Sequence, residues 1–119
     1  MNTLFLLSMF AEGIFALGFL AYPQLLARPF GVKLDSNSAF ALRLFGSALL
    51  AFPILLWFAR QSSQVSMRKA VAASMLVYYF ASGLVLLSLQ LAGFINSLGW
   101  CNIAIHLAFS ISYAYYCVK

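Results

Sequence analysis

The sequence predicts an all-α integral membrane protein, a four-helix bundle with four transmembrane helices joined by short loops. The first observation is composition, because 65% of the residues are hydrophobic and only 8% are charged. A soluble domain carries roughly 25% charged residues, and a short soluble chain could not bury this much apolar surface. The second observation is that the apolar residues form runs long enough to cross a bilayer. We therefore expect one transmembrane domain over residues 1–119, with the lipid bilayer as its first partner.

Turn signals divide the apolar runs into separate helices. The charge-free run Ala70–Val118 would be about 74 Å long as one helix, against a hydrocarbon core of about 30 Å. Gly93 and Asn96 supply the break, as a helix-ending and a helix-starting residue. The first helix stops before Pro23, and Pro53 predicts a kink inside the second. The predicted helices cover residues about 2–22, 38–60, 68–91 and 98–118.

The positions of the basic residues predict the orientation in the membrane. Cytoplasmic loops and ends of membrane proteins carry an excess of Lys and Arg. The side that holds both termini and the second loop has the larger number of them, and the opposite side has Arg28 and Lys33. We therefore expect a bacterial inner-membrane protein with both termini in the cytoplasm. The net charge of +5 is spread without a basic cluster, which argues against nucleic acid as a partner.

Three ionisable residues, Glu12, Arg43 and His106, fall at membrane depth within the predicted helices, away from the helix ends. They lie about 15, 9 and 13 Å from the ends of three different helices. Charged groups at membrane depth are costly, so a buried polar site between the helices is one interpretation. Glu12 would be its anion, Arg43 the partner of Glu12 or an anion-binding group, and His106 a titratable neighbour. The other interpretation is that Glu12 and Arg43 form an ion pair that only ties two helices together.

Small and polar residues at helical spacing predict which face of each helix points inward. Helix packing alone is the more usual reason for such stripes, since small residues line helix contacts in membranes. In helix two the predicted stripe is Ala39, Arg43, Ser47 and Ala51. The polar face expected to support the site in helices three and four consists of Tyr78, Ser82, Asn102, Ser110 and Tyr113.

The sequence predicts neither a catalytic set nor a metal site. The HExxH, GxSxG, Walker and GxGxxG motifs are absent. One His and two Cys do not supply the usual ligands of a zinc site. We therefore expect an accessory subunit of a membrane complex or a binder of a small apolar ligand, and not an enzyme. Quinone or lipid are the candidate bound molecules, and other membrane subunits or a second copy are the candidate partners.

Two stretches carry a resemblance to a known group of proteins. The first loop Pro23–Gly31 and the Arg-Leu-Phe-Gly segment Arg43–Gly46, with an acidic residue in helix one, resemble small bacterial four-span proteins of the DoxX-like kind. The likeness covers the whole chain in architecture but is specific only at these stretches. Some DoxX-like proteins are subunits of quinone-linked oxidoreductases, so the resemblance implies an accessory role in a membrane complex. It carries over no catalytic residue.

The Ala11-Glu12 pair is similar to a feature of small multidrug transporters. Those four-span chains have one essential Glu after an Ala in helix one. This second resemblance implies the alternative function, a proton-coupled small-molecule transporter that uses Glu12. The chain departs from that group in its longer first loop and in Arg43 and His106, which have no counterpart there.

Overall fold

The computed structural model describes residues 1–119 and contains helices and loops but no strand, which confirms the predicted all-α class. Four helical segments are long and apolar enough to cross a membrane. Each begins and ends close to its predicted bounds. The second segment, residues 36–61, consists of α3 and α4. The helices are α1 (Asn2–Ala21), α2 (Pro23–Ala27), α3 (Ser36–Leu49), α4 (Ala51–Gln61), α5 (Val65–Leu91) and α6 (Gly99–Val118).

The helices pack as two hairpins. In the first, α1 lies against both α3 and α4, and in the second, α5 lies along α6. Within the first hairpin, α3 approaches α1 closely at Gly46. A Cβ atom at this position would lie 2.9 Å from the backbone oxygen of Ala16 and 2.9 Å from the backbone nitrogen of Leu20. Gly46 therefore allows α1 and α3 to approach more closely than any side chain would permit.

Pro53 interrupts the second segment, as the sequence predicts. Proline has no backbone N–H, and its ring clashes with the carbonyl of the residue four positions earlier. The helix accordingly breaks between α3, which ends at Leu49, and α4, which begins at Ala51. After the break α4 packs against α5, whereas α3 makes no comparable contact with α5. The kink therefore separates the two hairpins in the half of the bundle that contains α3.

The opposite half of the bundle, which holds both chain termini, is closed by a packed core. Its residues come from the start of α1, from α4, from the first part of α5 and from the end of α6. Aromatic rings dominate this core, and Phe5 stacks on Tyr113 with 6.2 Å between ring centroids. The buried core residues are Phe5, Leu56, Ala59, Ala72, Met75, Tyr79 and Tyr113.

The first and third loops are hydrogen-bonded to each other at the end of the bundle opposite the chain termini, which we call the open end. The first loop contains the short helix α2 and a 3-10 turn over Arg28–Phe30, which ends at Gly31 with a φ of 77°. A glycine adopts this left-handed conformation without strain. The side-chain amide of Asn96 donates to the backbone oxygen of Pro29 at 2.8 Å, and its backbone N–H donates to Phe30 at 3.0 Å. Two hydrogen bonds between these loops thus link the hairpins.

Asp35 caps the N-terminus of α3. Its Oδ1 atom accepts a hydrogen bond from the backbone N–H of Ser38 at 2.7 Å, and this bond holds the pKa of Asp35 below its usual value. Because the pKa is lowered in the folded protein, the cap contributes its full stabilisation at pH values above the pKa of Asp in the unfolded chain. The contribution is lost as the pH falls through the lowered value. Asn also caps helices well, so Asp35→Asn removes an acidic group without removing the cap.

Replacement of Gly46 by Ala should destabilise the first hairpin. The added methyl group meets backbone atoms of α1 that have no room to move aside, and overpacking of this kind costs about 1–3 kcal/mol. The matched control is Gly13→Ala, whose Cβ would meet only the Pro53 ring at an ordinary 3.6 Å. Unfolding in mixed detergent micelles, followed by circular dichroism, measures both variants. Equal stability of the two would contradict the close approach at Gly46.

Candidate functional site

A cavity of about 390 Å³ lies between the two hairpins in the open half of the bundle. Its walls come from α1, α3, α5 and α6, and 12 of its 16 lining residues are hydrophobic. The aromatic residues among them include Phe15, Phe19, Phe45 and Phe109. Ligand cavities in proteins have volumes of about 300–1,000 Å³ and mostly apolar walls with a few polar groups. The cavity has the size and character of such a site.

Glu12 provides the carboxylate of this cavity. Its side chain is only 4% exposed, and its Oε2 atom accepts a hydrogen bond from the Tyr78 hydroxyl at 3.0 Å. Because Glu12 belongs to α1 and Tyr78 to α5, this bond joins the two hairpins. The other carboxylate oxygen, Oε1, makes no hydrogen bond of normal geometry, although the Tyr79 hydroxyl lies close to the carboxylate, and Glu12 lines the cavity. One oxygen therefore fixes the bundle while the other remains available.

His106 faces the same cavity from α6. Its Nδ1 atom lies 2.9 Å from the backbone oxygen of Asn102. A carbonyl oxygen only accepts, so Nδ1 carries the proton, and Nε2 of the neutral ring is an acceptor. Gly83 of α5 lies beside the histidine, where an added Cβ would be 3.4 Å from the Cβ of His106. The absence of a side chain at Gly83 lets the imidazole approach α5 closely.

Arg43 is not brought to Glu12. It is exposed, it does not line the cavity, and the hydrogen-bond partner of Glu12 is Tyr78 instead. A helix turns by about 100° per residue, so Arg43 points about 160° away from Phe45 and about 120° away from Leu49, which do line the cavity. The predicted stripe in helix two drifts by about 40° at each step of four. The buried residues of α3 are Ala39, Gly46 and Leu49.

The predicted supporting face is divided between the cavity and the core below it. Tyr78, Ser82 and Asn102 line the cavity. Tyr113 is fully buried in the core, where its hydroxyl donates to the Ser8 hydroxyl at 2.8 Å. Ser110 is also buried, and its hydroxyl oxygen has no hydrogen-bond partner. The last two residues therefore belong to helix packing.

Tyr79 is the site residue that the sequence analysis missed. It is 2% exposed, it lines the cavity, and its buried hydroxyl has no hydrogen-bond partner. Its ring stacks on Phe109 with centroids 4.7 Å apart and meets the His106 ring edge-on at 5.6 Å. The signal that identifies it is the buried stripe Ala72, Met75, Tyr79 and Gly83, which follows steps of three, four and four along α5.

The site contains one carboxylate, one imidazole and several aromatic rings, and no Lys or Arg lines it. No group of three or more His, Cys, Asp or Glu side chains is placed to hold a metal ion. Such an arrangement can enclose a compact apolar molecule and orient one polar group of that molecule. Comparison of the chain with protein-family models, with curated proteins and with solved structures gives no match.

Loss of the Tyr78 hydroxyl should weaken the contact between the hairpins. Tyr78→Phe leaves the buried Glu12 carboxylate without its donor, and an unsatisfied buried polar group costs about 1–3 kcal/mol. Tyr115→Phe is the control, because Tyr115 is exposed and its hydroxyl makes no hydrogen bond. Detergent unfolding of the two variants gives the comparison. A cycle with Glu12→Gln then isolates the Glu12–Tyr78 coupling, and additive effects would show that no coupling exists.

Proposed function

We propose that the chain is an integral membrane protein whose cavity binds a small apolar ligand. The four apolar helices support membrane insertion, as do the residues on their outer surfaces. On α1, for example, Phe10 is 60% exposed and Ile14 is 67% exposed, whereas Ser8 and Glu12 are buried. This is the arrangement expected of a helix whose apolar side chains face lipid and whose small and polar side chains face other helices.

The proposed location is a bacterial inner membrane with both termini in the cytoplasm. Arg60, Arg68, Lys69 and Lys119 all lie at the closed end of the bundle, and basic residues are retained on the cytoplasmic side. The cavity then lies in the outer half of the bilayer. Arg43 faces lipid from α3, where its long side chain extends toward the outer headgroups while its aliphatic part stays against the helix.

The kink before Pro53 carries the proposal of a ligand site, because it makes the cavity accessible from the bilayer. The residues of α3 that line the cavity face those of α5 and α6 across the cavity, and α3 makes no extensive contact with either helix. A molecule dissolved in the lipid can therefore enter sideways. An engineered cavity of about 150 Å³ holds benzene, so the volume here accommodates a ligand of about fifteen heavy atoms. The ring of a quinone and part of a lipid both fall within this range.

The ligand site is compatible with an accessory role in a membrane complex. The resemblance to DoxX-like proteins supports this part of the proposal, since some of those proteins are subunits of larger assemblies. In that role the protein would hold the apolar molecule next to a partner subunit. The exposed Arg43 is a contact point that a partner carboxylate, from another subunit or from a second copy, would neutralise.

Filling the cavity should remove a bound molecule without changing the fold. Leu42 lines the cavity, whereas Leu44 is exposed on the other side of α3. We expect native mass spectrometry of the wild type, released from membranes in mild detergent, to show a co-purifying small molecule or lipid. The variant Leu42→Trp should lose that molecule, and the matched variant Leu44→Trp should keep it. Equal retention by both variants would contradict binding in the cavity.

A second candidate function is proton-coupled transport through Glu12, and one observation favours it. Glu12 lies where the two hairpins meet, and its bond to Tyr78 is among the few polar links between them. If the hairpins separated, the carboxylate would exchange the Tyr78 hydroxyl for a proton or a cationic substrate. Such competition for one carboxylate would couple the movement of the substrate to that of the proton.

Glu12 and Asp35 are the only two acidic residues of the chain. If the protein is a transporter, neutralising Glu12 should abolish proton-coupled flux, and neutralising Asp35 should not. Proteoliposomes containing a pH-sensitive dye would receive 4-phenylbutylguanidine, whose guanidinium group stays charged and does not cross lipid unaided. Wild type and Asp35→Asn should show proton movement linked to the probe, and Glu12→Gln should show none while keeping its helical content. Flux that survives Glu12→Gln would rule out the transporter.

A further inference from the structure

Three of the hydrogen-bond donors around the cavity are already in use. The Tyr78 hydroxyl donates to Glu12 at 3.0 Å, and the Ser82 hydroxyl donates to the backbone oxygen of Tyr78 at 2.6 Å. The Nδ1–H group of His106 donates to the backbone oxygen of Asn102 at 2.9 Å. Each of these bonds is made within the protein, so none of these protons is available to a ligand.

The acceptors that remain belong to residues that line the cavity. They are Oε1 of Glu12, Nε2 of the neutral His106 ring and a lone pair of the Ser82 hydroxyl. The unpartnered Tyr79 hydroxyl is the one phenolic donor left over, and it lies beside Glu12, which accepts readily. The Asn102 amide offers one donor group and one acceptor, so it does not alter the difference between the numbers of free donors and free acceptors. The empty cavity therefore has a surplus of acceptors.

The electrostatic character of the cavity agrees with this surplus. Glu12 is the only carboxylate that lines it, and no Lys or Arg lines it to offset that group. Six of the 16 lining residues are Phe or Tyr, and the faces of their rings carry partial negative charge and attract cations. Tyr78, Tyr79 and His106 pack against one another beside Glu12, with ring centroids 5.0 to 6.5 Å apart. A cation in this cavity would meet a carboxylate and aromatic rings together.

We propose that the cavity takes a protonated primary or secondary amine that carries a compact apolar body. This inference rests on the proposed function, since it names the chemical class of ligand for the same cavity. The ammonium group donates one hydrogen bond to Oε1 of Glu12 and another to Nε2 of His106. The apolar body lies against Phe15, Phe45 and Phe109. An alcohol of the same shape has a single donor and no charge, so it satisfies only one of the two acceptors.

Four probes of nearly the same shape test this inference. They are 4-phenylbutylamine, its N,N,N-trimethyl derivative, 4-phenylbutanol and 4-phenylbutyrate. Equilibrium dialysis against lipid nanodiscs with and without the protein measures binding beyond partition into lipid. We expect the amine to bind about tenfold more tightly than the alcohol, and more tightly than the trimethyl derivative, which has no N–H group. The carboxylate should bind most weakly. The amine site is overturned if the alcohol or the trimethyl derivative binds as tightly as the amine.

Two variants test whether Glu12 causes the preference for the amine over the alcohol. In Glu12→Gln the ratio of amine affinity to alcohol affinity should fall to about one, while Asp35→Asn retains the ratio of the wild type. If Glu12→Gln does not fold, His106→Leu provides the same test, because it removes Nε2 and keeps an apolar side chain of similar bulk. An unchanged ratio in the folded variant contradicts the proposal. If the alcohol binds to the wild type but not to Leu42→Trp, this result supports the cavity as a ligand site, whether or not the amine binds more tightly than the alcohol. Failure of all four probes to bind would count against both proposals.

His106 supplies a direct readout because it is the only histidine of the chain. Nitrogen-15 NMR of the labelled protein should show a protonated Nδ1 and an unprotonated Nε2 in the absence of ligand. The amine should shift the Nε2 resonance as it forms a hydrogen bond, and the trimethyl derivative should not. The proposed contact with His106 is wrong if the amine binds and leaves that resonance unchanged.

Discussion

The fold is organised by the requirement that a buried carboxylate must be hydrogen-bonded. Glu12 lies among apolar and aromatic side chains, where an unpaired polar group would be very costly. Its partner is the Tyr78 hydroxyl on the opposite hairpin, so the same bond that satisfies Glu12 also fixes how the hairpins meet. Neighbouring links between the hairpins extend this contact, namely Tyr113 to Ser8 within the core and Arg68 to Asn2 at the chain termini.

The difference between the two halves of the bundle follows from two residues with special backbones. Gly46 holds α3 against α1, because a side chain there would collide with the α1 backbone. Pro53 then redirects the chain, so that α4 packs on α5 and α3 does not. One half becomes a packed aromatic core, and the other half keeps a cavity with Glu12 in its wall. A cavity between the hairpins in one half of the bundle is the consequence of these two constraints.

Sequence periodicity identified some inward faces and misplaced another. On α1 the predicted face of Ser8, Glu12 and Ala16 is buried as expected. On α3 the spacing of four residues pointed to Arg43, yet this side chain is exposed. A spacing of four drifts around the helix by about 40° at each step, so it marks one face only over a short distance. The position of Gly46 against α1 decides which side of α3 is buried.

The sequence by itself determined the helical class, the apolar segments, the break before Pro53 and the set of polar residues within the helices. These properties depend on composition and on local backbone chemistry, which each segment carries wherever it packs. The tertiary structure decided that Glu12 meets Tyr78 and not Arg43, that Tyr79 joins the site, and that a cavity forms around them. Such partnerships depend on the rotation of each helix about its axis. Close packing between helices sets that rotation, and a single segment does not contain it.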